Sequence, residues 1–248
     1  MFRKILLLII TLGLSICGLC KEATPPNTFQ QSKIIANKIF IIFPETIYSG
    51  CSFNLLQRIE YVSCGFAPNP NNLRDHRLEF EHLFPMAHAK YHFSCWNKSV
   101  CINSKGKEFK GRLCCREVDP KFNALEAELY NLQPEIGTVN KVRNAYKFTE
   151  FSNKEKRILK KYRNVPLYID FKKKRVEPRD EVKGLVARAN LFVAKKHNIR
   201  LSRQQLQLFN HWNKIYPPSK KEILWARQVA KVVGYENPFI TKWSEIEK

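Results

Sequence analysis

The chain has 248 residues and carries 43 Lys and Arg against 22 Asp and Glu, a net charge of +21 at pH 7. A field of that sign works against cationic partners and favours polyanions such as nucleic acid or acidic lipid headgroups, with a merely solvated basic surface as the plain alternative. The length is enough for one ample core, and no internal repeat or low-complexity linker divides it, so one mixed domain is expected.

Met1-Phe-Arg-Lys4 followed by the apolar run Ile5–Ile16 reads as the charged start and apolar middle of an export signal, too short to span a bilayer comfortably. Gly18 and Cys20 offer small residues for cleavage before Lys21, with cleavage after Ala23 as the alternative. A signal over 1–20 leaves a mature domain over 21–248. Its removal takes away Arg3 and Lys4 and no acid, leaving +19. A lipid anchor needs a small residue before Cys17 or Cys20, and Ile16 and Leu19 stand there instead. The expected location is the periplasm or the medium, with no stable membrane association once the signal is gone. Of the eight cysteines, Cys51, Cys64, Cys95, Cys101, Cys114 and Cys115 then remain. An even set in an exported chain predicts disulfides, and sequence cannot separate the fifteen pairings. The rival, a zinc site, lacks a paired C-x-x-C spacing.

In chain order, apolar residues at Ile34, Ile35, Ile39, Ile42 and Phe43 predict an amphipathic helix over 32–43, stopped by Pro44. Residues 46–78 read as irregular, with a turn-rich loop at Pro68–Asn72 and Cys51 and Cys64 as pins. Leu78–Phe84 alternates as a short strand ended by Pro85. Ser94–Arg116 is cysteine-rich and polar, which predicts a bridged loop or hairpin. Asp119 is placed as a helix N-cap with Pro120 at the first helical position, and Asn131 falls at the end of that run. Lys154–Lys174 is the most basic stretch, interleaved with Tyr162 and Tyr168, which suits nucleic-acid contact or a plain solvated face. The last third is helical: one helix over 182–197, then two opened by the capping boxes Ser202-Arg-Gln-Gln205 and Ser219-Lys-Lys-Glu222, near 203–215 and 220–233. Gly234 suits the left-handed position after the last.

Chemically, Glu81 and His82 put a carboxylate beside an imidazole, and Asn131 offers an amide oxygen. A hard cation takes oxygen ligands, and attack on a phosphodiester needs a group to deprotonate water. The plain alternatives are a core histidine at a strand end, a surface acid and a helix terminator.

The stretches Thr46-Ile-Tyr-Ser-Gly-Cys51, Glu79-Phe-Glu-His82, Lys110-Gly-Arg-Leu-Cys-Cys115, Asn131-Leu-Gln-Pro134 with Gly137 to Asn140, Asp170-Phe-Lys172, Leu201-Ser-Arg-Gln-Gln205, Trp212-Asn-Lys214 and Asn237-Pro-Phe239 resemble the bacterial endonuclease I family. The likeness spans residues 32–240. It implies an α+β fold, a mainly helical single domain around a ββα-metal (His-Me finger) nuclease motif. It also implies a monomeric endonuclease that uses one Mg2+ to cut DNA, and RNA too, with little sequence preference. On this resemblance His82 is the general base, Glu81 and Asn131 are metal ligands, and Arg112 reaches the scissile phosphate. Arg143, Arg179, Lys172 and Lys173 are expected to meet nucleic acid. Glu126 is expected to be a helix-surface acid, and His88 and His92 surface histidines. The chain departs from the family at Tyr130, where a histidine usually precedes the asparagine, and at Phe80, usually tryptophan. Ser49 stands where the family often has cysteine, and a second cysteine before Asp170 is also missing, consistent with the loss of one bridge. A secreted basic protein that coats nucleic acid without cutting it is the alternative function.

Overall fold

The computed structural model describes residues 23–159 and 161–246, so the expected export signal over 1–20 lies outside the described residues. Helix α1 (Phe29–Phe40) starts three residues earlier than its apolar period implies, because the Thr28 hydroxyl accepts from Gln31 N and caps it there. Strand β1 (Leu78–His82) follows a stretch that is not wholly irregular. That stretch holds a short hairpin, Ser52–Phe53 against Ile59–Glu60, and 3-10 turns at Tyr61–Ser63 and Leu73–His76; the Cys51–Cys64 bridge pins it as expected.

The cysteine-rich segment holds the expected hairpin, Cys101–Ile102 against Glu108–Phe109, but also a helix, α2 (Arg112–Val118). Two bridges, Cys95–Cys115 and Cys101–Cys114, fasten α2 through adjacent cysteines that are both fully buried. Helix α3 (Pro120–Glu126) begins where predicted, with Asp119 accepting from Lys121 N at 2.9 Å and Phe122 N at 3.1 Å.

Strand β2 (Leu132–Ile136) comes next and leads directly into helix α4 (Gly137–Arg143). β1 and β2 form an antiparallel ribbon whose register runs from Leu78↔Ile136 to His82↔Leu132. A proline normally argues against a strand. Pro134 is tolerated opposite Phe80, and its carbonyl takes Ile47 N at 2.9 Å. Gly137 is required at the strand–helix junction: a Cβ there would lie 2.7 Å from Arg74 O and 2.8 Å from Glu79 Oε1. The ribbon and α4 are the ββα unit.

Beyond it, β3 (Lys147–Phe148), β4 (Tyr168–Asp170) and β5 (Arg175–Glu177) form a small sheet in the order β3-β5-β4, β3 running parallel to β5. Helices α5 (Asp180–Lys196), α6 (Arg203–Ile215) and α7 (Lys220–Val233) come next, with Ser202 and Ser219 capping the last two, and short helical turns at Pro238–Thr241 and Trp243–Ile246 follow them. Gly234 ends α7 at φ +76°, the left-handed position. α5 and α7 are locked by Arg188, whose guanidinium meets both Glu222 oxygens at 2.7 and 2.5 Å inside the core.

Three apolar clusters surround the ribbon: one around Trp212 and Val186, one around Trp225 and Phe40, one around Phe122 and the bridged cysteines. The result is the expected α+β domain, mainly helical. Among the described residues no helix is long and apolar enough to cross a membrane.

Candidate active site

β1 delivers the two central groups at its C-terminal end, where the strand passes from half-buried to buried. His82 is 7% exposed, and its Nε2 lies 2.9 Å from the backbone oxygen of Glu126. A carbonyl only accepts, so Nε2 carries the hydrogen and Nδ1 keeps its lone pair. Burial, with the Arg112 charge behind it, pulls the imidazole pKa down to about 4, against a smaller upward pull from the Glu126 carbonyl. The ring is neutral at physiological pH and has one nitrogen ready to take a proton.

Glu81 is also buried. Its Oε1 accepts from the Tyr48 hydroxyl at 3.1 Å and lies 3.0 Å from Arg143 Nε. Burial pushes its pKa up to about 7, because one guanidinium and one hydroxyl only partly offset the loss of water. Asn131 sits one step beyond the ribbon, with Leu83 N donating to its carbonyl at 3.0 Å. It ends the short 3-10 turn Leu129–Asn131 that enters β2, and its side chain reaches the segment just after β1. Its Oδ1 accepts from Phe84 N at 2.6 Å and its Nδ2 donates to Phe84 O at 3.1 Å. The amide is fully buried and brackets the backbone of a single residue, with one lone pair of Oδ1 left over.

α2 supplies the cationic wall. Arg112 donates through Nε to Glu126 Oε1, and Arg116 donates to both Glu126 oxygens at 2.7 and 2.8 Å. Glu126 is not the surface acid expected: it is 1% exposed, because its side chain closes the gap between α3 and α2. Burial alone would raise its pKa, but the two arginines outweigh it and hold the carboxyl below its ordinary value. Arg112 spends only Nε on this pair and is 39% exposed, so its outer nitrogens face the cleft.

Phe29, the first residue of α1, closes the group. Its ring lies 4.8 Å from the His82 ring and 5.8 Å from the guanidinium carbons of both Arg112 and Arg116. Phe29, Tyr48 and Arg116 have no assigned role in the sequence reading. Tyr48 leaves a trace there only as part of the stretch Thr46–Cys51, and Arg116 only as the end of the segment read as a bridged loop.

Phe29, Glu81, His82 and Arg112 border a cleft of about 860 Å³ that also receives Lys33, Arg74, Arg77 and Lys141, while Asn131, Glu126, Arg116 and Tyr48 lie outside its lining. Arg143, expected to meet nucleic acid, lies on the inner side of the cleft. It is 1% exposed, its Nη1 and Nη2 donate to Asn144 O and Leu83 O, and its guanidinium lies 4.5 Å over Phe148. Its charge serves Glu81. Arg179 is also engaged internally, with Glu45 Oε1 at 2.6 Å and Ile47 O at 3.2 Å. Lys172 and Lys173 are exposed at the β4–β5 turn. His92 is exposed as expected, but His88 is half-buried with Nε2 2.9 Å from Ala145 O. Tyr130 turns away from the ribbon, its hydroxyl shared between Ala226 O and Tyr235 O, so it has no recorded contact with Glu81 or Asn131.

The donor set fits a hard divalent cation. Both recorded contacts of Glu81 fall on Oε1, which leaves Oε2, and Asn131 adds an amide oxygen. A second positive charge would also relieve the carboxylate that burial holds near neutrality. Among the described residues no three His, Cys, Asp or Glu cluster as a closed protein cage. The six cysteines are all in bridges, which removes the zinc reading.

The sequence model of the endonuclease I family matches residues 37–243. An extracellular deoxyribonuclease of Aeromonas hydrophila is 31% identical over 246 residues, covering 98% of this chain and 99% of the relative. A periplasmic deoxyribonuclease of the same organism is 31% identical over 225 residues, 89% and 88% of the two chains. An endonuclease-1 of Buchnera aphidicola subsp. Acyrthosiphon pisum is 32% identical over 225 residues, 90% and 83%. Three disulfides and the locations of the two Aeromonas relatives agree on a compartment outside the cytoplasm. With a ββα unit presenting Glu-His at its strand end and a family match over most of its length, the chain belongs to the endonuclease I family and is an endonuclease.

Proposed function

We propose that the chain is a monomeric, Mg2+-dependent nuclease that hydrolyses phosphodiesters in DNA, and in RNA, with little sequence preference. The observation that carries this reading is His82: a neutral imidazole, its Nε2 hydrogen fixed on Glu126 O and its Nδ1 free, beside a buried carboxylate in a cleft rich in cations.

His82 Nδ1 takes a proton from a water molecule, and the hydroxide attacks phosphorus. The P–O3′ bond breaks, and the 3′ oxygen takes its electron pair and a proton from solvent water, leaving 5′-phosphate and 3′-hydroxyl ends. The outer nitrogens of Arg112 balance charge that builds on the non-bridging oxygens. Glu126 aims both α2 arginines with its carboxylate and the imidazole with its carbonyl. Glu81 and Asn131 would hold the cation, with Arg143 and Tyr48 fixing Glu81 from behind. A bound Mg2+ would supply Lewis-acid stabilisation of the negative charge that builds up during the displacement. Lys172 and Lys173 add phosphate contacts, which carry no sequence information and make binding salt-dependent.

The test is digestion of plasmid DNA and of RNA by the oxidised mature protein with Mg2+, with excess EDTA, and with His82→Ala. Mg2+-dependent cutting that the substitution abolishes, with DNA binding kept, is the expected result. Equal cutting by His82→Ala would remove the base, and cutting in EDTA would remove the cation. A protein that binds DNA and never nicks it would be the coating protein instead.

A further inference from the structure

Outside the cleft, an exposed aromatic ring and unpaired cations are built into a single short turn. β4 and β5 are joined by Phe171-Lys-Lys-Lys174. Phe171 is 54% exposed, and Lys172, Lys173 and Lys174 are exposed beside it. The turn is held in shape: Asp170 Oδ1 accepts from Lys173 N at 2.8 Å, and Lys174 takes φ +55°. The nearby acids are already engaged, Arg175 reaching Glu155 at 3.1 Å and Asp170 at 3.6 Å. No ion pair to Lys172, Lys173 or Lys174 is found among the described residues, so their charge faces solvent.

The sheet topology puts this turn next to the cleft. β3 lies parallel to β5 with Lys147 opposite Arg175, and Lys147 N donates to Lys174 O at 3.1 Å. Neighbouring strands are about 5 Å apart, so the turn flanks Tyr146, and the two residues before it, Asn144 and Ala145, line the cleft. The Phe171 ring meets Tyr146 edge-to-face, with centroids 6.3 Å apart and planes at 84°. A single edge-to-face neighbour leaves at least one face of the pair's outer ring uncovered.

We propose that this turn is a stacking step for a single strand leaving the cleft: Phe171 receives an unpaired base, and Lys172 and Lys173 hold the flanking phosphates. Lysines alone would grip any polyanion. The exposed ring adds a selectivity, because a base offers its face only when it is out of the duplex stack. The turn therefore favours single-stranded, frayed or looped substrate over intact duplex. The inference rests on the nuclease reading above, and it adds a substrate preference which that reading does not contain.

The experiment compares wild type, Phe171→Ala, Phe171→Trp and Lys172→Ala/Lys173→Ala on a single-stranded oligonucleotide and on its duplex, by steady-state cleavage. Phe171→Ala should raise KM on the single strand roughly tenfold, the scale of one lost base–aromatic stack, leaving kcat and both duplex constants within about twofold. Phe171→Trp should restore the single-strand KM. The double lysine variant should weaken both substrates and flatten the salt dependence by roughly one to two logarithmic units of slope. Phe171→Ala behaving as wild type on the single strand, or losing equally on both forms, overturns the stacking step. If wild type cuts neither form, the nuclease reading fails by itself. Fluorescence anisotropy of the same labelled oligonucleotides with the same variants then still decides the turn, with the same expected and refuting patterns.

Discussion

If His82 is the base, the acid side of the activity profile should sit far below that of a free imidazole. A base must be unprotonated to accept from water, so activity is lost as pH falls through its pKa. Burial and the Arg112 charge place that point at about 4, against about 6.5 for an exposed histidine. At pH 5 a group with pKa about 4 is about 90% neutral and a free imidazole about 3%, roughly a thirtyfold difference in rate. The assay is kcat/KM for a fluorogenic oligonucleotide between about pH 4 and pH 8. Glu81, pushed up to about 7, titrates within that range. Its protonation competes with the cation, so its limb shifts with Mg2+ concentration and vanishes at saturation, while the His82 limb stays put. A midpoint near 6.5 that ignores Mg2+ concentration would refute the burial argument.

Three further outcomes are expected. Phe29→Ala removes the ring between His82 and the α2 guanidiniums and should lower kcat about tenfold, since small misplacements of a catalytic group cost up to about a hundredfold; KM should hold and Phe29→Tyr should recover kcat, whereas a pure KM effect would contradict a positioning role. Glu222→Ala leaves the buried Arg188 without its carboxylate and should cost roughly 3–5 kcal/mol in urea unfolding, so a loss below about 1 kcal/mol would count against the pair. Replacing Cys101 and Cys114 together by serine opens a loop of 13 residues and should cost about 2–4 kcal/mol in stability, with cleavage falling further than DNA binding. Activity equal to wild type there would mean that Arg112 does not depend on the bridge.

Local chemistry was readable from the sequence, and tertiary placement was not. Ser202, Ser219, Asp119 with Pro120, and Gly234 each state a helix boundary through one side chain or one backbone angle, and the boundaries fall there. β2 was missed because Pro134 speaks against a strand, and only its pairing with Phe80 makes it one. α2 was missed because its cysteines read as loop staples, whereas both point inward from a helix. Glu81 and His82 stood out as a pair, but nothing local announces that Arg143 is buried behind them. Arginine is ordinarily a surface residue, and its burial depends on Phe148, Leu83 and Asn144 arriving from elsewhere. Phe29 is hidden for the same reason, and it also lies ahead of the stretch that matches the family.

The two walls of the cleft are fastened by different means. Behind β2, Glu135 accepts from Tyr48 N, Ser49 N and Ser49 Oγ at 2.6, 3.1 and 2.5 Å, a polar clasp at the position where the family often uses a cysteine. The opposite wall, α2 with Arg112 and Arg116, hangs from two sulfur bridges. Thiols in the surroundings would therefore slacken the guanidinium side, and would also open the Cys51–Cys64 bridge two residues from Ser49. A freshly made chain held among reductants would lack all three fastenings, and only an oxidising milieu would set its guanidiniums in place.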